Sequence, residues 1–125
     1  MAKEPAYTYS IKEIVKYIDG DTVDVVIDLG FHLSAKKRVR LHGINTPEIR
    51  TRDKAVKAKG IAARDRLIEL CESDQDPERF GGLILKCHGL GKYGRVLGEI
   101  FNGNCSANKM LVMEGHAEVY DGGKK

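Results

Sequence analysis

The sequence predicts a mainly β protein of the α+β kind: a five-stranded barrel, with a long helix after the third strand and a short helix after the fifth. Three observations predict it. Residues 7–44 read as three strands in succession, joined by turns and without a crossover helix, which disfavours a doubly wound α/β sheet. Residues 51–72 switch to a helical period. Two further alternating stretches follow, and then a second, shorter helical stretch.

Residues 1–6 read as a loose end. From Tyr7 to Ile18, apolar residues fall at Tyr7, Tyr9 and Ile11, then at Ile14, Val15 and Ile18; the slip near Glu13 predicts a strand with a bulge. Asp19-Gly20 is a hairpin turn signal. Thr22 to Leu29 alternates, with Val23, Val25, Ile27 and Leu29 on the buried face. A turn over Gly30–Lys36 leads to a third strand, Lys37 to Ile44, in which Val39 and Leu41 oppose Arg38, Arg40 and His42. These three strands form an antiparallel meander.

Thr51 to Glu72 brings Val56, Gly60, Ala63, Leu67 and Leu70 near one stripe, with Thr51 or Asp53 as cap. Gly60 costs about 1 kcal/mol against alanine inside a helix, so a close packing contact is expected there. The polar run Ser73–Pro77 ends the helix. Leu83, Leu85 and Cys87 mark a fourth strand, Gly89–Gly94 a glycine-rich turn, and Arg95 to Phe101 a fifth strand. After a turn at Asn102-Gly103-Asn104, Ser106 to Glu114 reads as a short helix with Ala107, Met110 and Leu111 inward and Gly115 at its C-cap. His116 to Tyr120 reads as a last extended segment, and Gly122–Lys125 as a frayed tail. Such a barrel with external helices fits the OB-fold, which often binds nucleic acid or sugar chains.

A chain of 125 residues fits one domain, 1–125, with its core over about 8–120. The hydrophobic share of 42% is enough for a core, and a charged share of 31% suits a soluble surface. A net charge of +3 permits a polyanionic partner without demanding one. Cys71, Cys87 and Cys105 lack zinc-ligand spacing and read as small buried hydrophobes in a reducing compartment. No apolar run is long enough for a transmembrane helix, and the start lacks a signal-peptide core. The expectation is an intracellular monomer without a membrane partner; a lost leader would leave the same pattern.

The chemistry gathers in Val39–Glu48, where a strand-end cation meets a turn carrying an amide, a hydroxyl and a carboxylate. Asp19-Gly20-Asp21-Thr22 lies upstream and Lys92-Tyr93-Gly94-Arg95 downstream. Together they supply carboxylates, which bind a hard cation, and two strand-end arginines, which hold a phosphate bidentately. A metal beside a phosphate clamp is equipment for phosphodiester hydrolysis. The basic helix run Lys54, Lys57, Lys59, Arg64 and Arg66 spreads over several faces and reads as solvated surface. The four histidines, His32, His42, His88 and His116, have no ligand spacing and receive no role.

These three motifs, in this order and with a long helix between the second and third, resemble the staphylococcal nuclease (thermonuclease) family over roughly residues 8–120. The resemblance implies an OB-fold and calcium-dependent cleavage of DNA and RNA. It implies that Asp21 and the Thr46 carbonyl ligate calcium. Glu48 would serve as general base, Arg40 and Arg95 would hold the scissile phosphate, and Lys92 and Tyr93 would contact a nucleotide's terminal phosphate. Asp19 falls in the role of second-shell residue or turn former. The family's second ligating aspartate falls on Asn45. That substitution keeps an oxygen ligand but removes a charge, so weaker calcium binding, use of Mg2+ or Mn2+, or a dead site are all open. The hairpin from Thr22 to Arg40 is longer than the founding member's, and its last helix and nucleotide-contacting tyrosines are not cleanly matched; Tyr120 is the candidate substitute.

Two functions follow. The first is a nuclease of little sequence specificity acting on DNA and/or RNA, single-stranded or frayed. The second is a non-catalytic OB-fold module that binds single strands or a partner protein. Losing several site residues together would mark the second; here one position departs.

Overall fold

The structure, a computed structural model, describes residues 7–72, 83–90, 95–103 and 105–120. The expected loose end, the Ser73–Pro77 loop, most of the Gly89–Gly94 turn, Asn104 and the tail lie outside the described residues.

Strand β1 (Tyr7–Asp19) pairs antiparallel with β2 (Thr22–Gly30), and β2 with β3 (Leu33–Leu41), as the alternation predicts. The first part of β1 pairs instead with β5 (Leu83–Leu90), and β5 with β6 (Val96–Asn102). Strand β6 then runs parallel to β3, matching Val39 with Val96, Arg40 with Leu97 and Leu41 with Gly98. That pairing closes five strands into a barrel in the order β3-β2-β1-β5-β6. Closing so few strands requires strong coiling, and β1 supplies it through register shifts at Ile11/Glu13, Ile14/Lys16 and Tyr17/Asp19. The bulge expected near Glu13 is the first of the three.

Inside the barrel lie Ile11, Val23, Val25, Ile27, Val39, Leu41, Leu85, Val96 and Ile100. Leu29 differs from expectation: it is largely exposed, because the end of the β2–β3 hairpin projects beyond the core together with Phe31 and Leu33. The turn there is also tighter than the expected Gly30–Lys36. Strand β3 starts at Leu33, and Phe31 and His32 take the whole turn at φ values of 55° and 64°.

Helix α1 (Lys54–Glu72) buries Gly60, Ala63, Leu67, Leu70 and Cys71, close to the stripe the sequence predicts. Asp53 caps it, its carboxylate accepting from the Ala55 and Val56 N–H groups. At the other end the Asn102 side chain donates to the Leu70 carbonyl at 2.7 Å, satisfying a backbone acceptor that the helix itself leaves open. Helix α2 (Ala107–Met113) starts at the Ser106 N-cap, and Gly115 follows it with φ of 84°. Asn108 ties α2 to the barrel seam. It accepts from the Ile100 N–H and donates to the carbonyls of His42 and Gly98. Short bridges β4 (Ile44–Asn45) and β8 (Glu118–Val119) pair with each other, and β7 (Cys105–Ser106) folds back to pair antiparallel with the end of β6.

The three cysteines are free. Burial pushes the Cys71 thiol up to about 12, which leaves it a small neutral core residue. No described helix is long and apolar enough to cross a membrane.

Gly60 has the close contact its position demands. A Cβ there would lie 2.8 Å from the Pro47 carbonyl oxygen and 2.9 Å from that of Glu48. Gly60→Ala should therefore destabilise the protein by about 1–3 kcal/mol, despite alanine's better helix propensity. Thermal unfolding followed by circular dichroism checks this; an unchanged or raised Tm contradicts the packing.

Candidate active site

Three neighbouring strands place the site. Thr22 pairs with Arg40 across β2 and β3, so Asp21, one residue before Thr22, falls beside the Arg40 side chain. Val39 pairs with Val96, so Arg95 enters β6 on the other side of the same strand. The chain after β3 then turns through Gly43, at φ of 83°, and returns Asn45 and Thr46 to Asp21.

The Asp21 carboxylate is 6% exposed and fully engaged. It accepts from the Thr46 N–H at 3.0 Å and from the Thr22 hydroxyl at 3.0 Å, and one oxygen lies 3.4 Å from the Arg40 guanidinium. Arg40 donates to the Ile44 carbonyl at 2.9 Å, to the Leu41 carbonyl at 3.2 Å and to Asn45 Oδ1 at 3.2 Å. It therefore bridges the carboxylate and the amide oxygen. Its guanidinium also lies 5.6 Å from the centre of the Tyr120 ring, a cation–π contact. The β4–β8 bridge and the hydrogen bond from Tyr120 N–H to the Gly43 carbonyl hold that ring in place.

Asp19 sits behind Asp21. Burial, then the neighbouring Asp21 and Glu48 charges, raise its carboxyl above the ordinary range, partly offset by a hydrogen bond from the Ile49 backbone and, to a lesser degree, by Arg64. Glu48 is exposed and precedes the helix, which Asp53 starts, so it is not a helix-capping acid. Gly20, between the two aspartates, is buried under α1, where a Cβ would stand 2.7 Å from the Ala63 Cβ.

The structure thus joins Asp21, Arg40, Asn45 and Thr46 by direct contacts, with Asp19 and Glu48 close enough to repel. Arg95 shares a groove with Asp19 and Thr22, and its buried Nε has no hydrogen-bond partner among the described residues. Lys92 and Tyr93 lie outside the described residues.

Three features escape sequence reading. Arg64, read as solvated, is half-buried on the flank of the α1 stripe, near enough to Asp19 for its charge to act there; its position four residues after Gly60 was the available signal. Asn108 locks the His42 carbonyl, and no local pattern announces it. His42 and His88 stack at 4.5 Å beside Glu99, which also accepts from the Ser106 hydroxyl. Burial and His88 hold His42 below the ordinary histidine range, against the pull of Glu99.

The oxygen donors suit a hard cation. Among the described residues, however, no three His, Cys, Asp or Glu side chains converge to hold a metal. A cation here would rest on Asp21, the Asn45 amide oxygen and the Thr46 carbonyl, with water completing its shell. Two features favour one: carboxylate crowding at Asp19, which a cation relieves, and the buried Thr46 hydroxyl, which lacks a partner among the described residues. Arg40 already lies against two of the three donors and competes for them.

The closed five-stranded barrel with its helices outside is of the OB class. A family model for staphylococcal nuclease homologues matches residues 38–125, and the chain belongs to that family. Asp19 and Asp21 precede the matched stretch. No curated protein matches the chain significantly.

The crowding at Asp19 predicts a pH-dependent cost. Its raised pKa means that ionised Asp19 opposes folding at neutral pH, while below about pH 4 both folded and unfolded states hold the proton and the cost vanishes. Asp19→Asn should raise Tm at pH 7 without divalent metal, and this gain should fade as the pH falls toward about 4 and be gone below it. Equal Tm values at pH 7 would remove the argument from crowding.

Proposed function

We propose that this chain is a metal-dependent nuclease that hydrolyses phosphodiester bonds of DNA and/or RNA with little sequence preference, on single-stranded or frayed substrates. One observation carries the proposal: a buried carboxylate, an amide oxygen and a backbone N–H converge with Arg40 on one turn, and Arg95 lies on the adjoining strand. Membership of the staphylococcal nuclease homologue family supports it.

Arg40 and Arg95 hold the scissile phosphate and offset the charge that grows on its oxygens as the reaction proceeds. Glu48, exposed beside that position, orients the attacking water and takes its proton. As the water oxygen bonds to phosphorus, the opposite P–O bond breaks and the leaving oxygen gains a proton from solvent. A divalent ion held by Asp21, Asn45 and Thr46 would polarise a phosphate oxygen. Calcium is the first candidate, with Mg2+ or Mn2+ as alternatives because Asn45 brings no charge. Asp19 adds negative charge behind these donors, and Tyr120 steadies Arg40. Lys92 and Tyr93 would contact a terminal phosphate and a base or sugar.

A second reading is favoured by Arg40 lying across the donors: a binding module in which the guanidinium has taken the cation's place. Substitution separates the two. Glu48→Gln and Arg95→Ala should each lower kcat on single-stranded DNA by about 100-fold or more, with a smaller change in KM. Near-wild-type rates in both would refute the assignment. Asn45→Asp restores a second anionic ligand, so calcium titration calorimetry should give a Kd about tenfold tighter; an unchanged Kd would exclude Asn45 from the metal site.

A further inference from the structure

A groove of about 640 Å³ runs from the candidate active site along the outside of the β2–β3 hairpin. Asp19, Thr22 and Arg95 form one end, and Lys36, Lys37 and Arg50 line the rest. All three of these cations are exposed, and none has an ion pair among the described residues. Arg38 lines the groove too, but Asp24 holds it bidentately, at 2.8 and 3.2 Å. A concave surface carrying unneutralised positive charge concentrates polyanions. The strand rise of roughly 3.3 Å per residue sets Lys36 about 13 Å along β3 from Arg40, which leaves room for a further phosphate between them. Arg95, whose buried Nε has no partner among the described residues, joins the groove to the site.

We propose that this groove is a second nucleic-acid subsite, a track for the backbone phosphates of the single strand flanking the scissile bond. Its orientation rests on the nuclease reading of the site at its inner end; its binding does not. Lys36, Lys37 and Arg50 would each neutralise one phosphate. Ile18, at the groove floor, offers an apolar surface to a sugar or base. The longer hairpin thereby sets a preference for polymers over dinucleotides, without base-specific contacts.

The test measures binding apart from cleavage. Anisotropy of a fluorescein-labelled 16-residue oligothymidylate is followed in chelator over a range of salt concentrations. The variant Lys36→Ala/Lys37→Ala/Arg50→Ala should raise Kd about tenfold at low salt. It should also shrink the slope of log K against log salt by about 2, three contacts at roughly 0.7 each. Asp24→Asn, which releases Arg38, should tighten binding and steepen the slope by about 0.7. With metal present, the triple variant should cleave a dinucleotide as the wild type does and lose efficiency only on the long strand. A triple variant with wild-type Kd and slope overturns the subsite, as does a wild-type protein that does not bind the strand. Strand binding that depends on these residues without cleavage under any metal supports the subsite and refutes the nuclease reading. Cleavage that is indifferent to the triple variant on every substrate length refutes the subsite alone.

Discussion

The parallel seam between β3 and β6 is the constraint on which the rest depends. Without it the chain would be an open sheet with two exposed edges; with it, Val39, Leu41, Val96 and Ile100 lie inside a closed core. The seam is short, three residue pairs, and α2 reinforces it. Asn108 satisfies backbone groups of Ile100, Gly98 and His42 from one amide, and the His42 N–H donates to the Gly98 carbonyl at 2.7 Å. Gly98 is glycine because a Cβ would meet Leu85 at 2.5 Å. The same pairs fix Arg40 and Arg95 on neighbouring strands, so core closure and the placing of two cations are one structural event.

At the site, folding works against charge. Asp19, Asp21 and Glu48 are gathered near one another, and burial together with these charges raises the Asp19 carboxyl above its ordinary range. Arg40 relieves part of this by bridging Asp21 and Asn45. A group of like charges held together by the rigid scaffold is a familiar cost of a preorganised site. The contacts of the Asp21 carboxylate, Thr22 hydroxyl and Thr46 N–H, come from two different turns, so this one side chain also anchors the loop that leads into α1.

Much of the fold was legible because its strands have one wet face and one dry face. Val23, Val25 and Ile27 alternate with Asp24, Val26 and Asp28, and the Gly60-Ala63-Leu67-Leu70 stripe repeats at helical spacing. The hairpin tip was misjudged because Leu29 continues the alternation past the end of the core, where burial stops although the pattern does not. Phe31 and His32 gave little sign of a two-residue turn, since such turns usually carry Asn, Asp or Gly at both central positions and Phe31 in particular disfavours positive φ. Of the site, the motif residues Asp21, Arg40, Asn45 and Thr46 could be named from their order along the chain. Their surroundings were less legible: the Tyr120 ring reaches Arg40 through tertiary packing, which no local spacing encodes, and the spacing of Arg64 from Gly60 hints at its place near Asp19 without naming that neighbour.

The central claim is that this barrel end hydrolyses phosphodiesters with a hard metal, and degradation of single-stranded DNA by the wild-type protein tests it most directly. The rate would be measured with calcium, magnesium, manganese or chelator at equal protein concentration. The account predicts cleavage with at least one divalent ion, none in chelator, and recovery when the metal is restored. Strand binding without cleavage under all four conditions would contradict it and leave a nucleic-acid-binding barrel in which Arg40 stands where a metal would act.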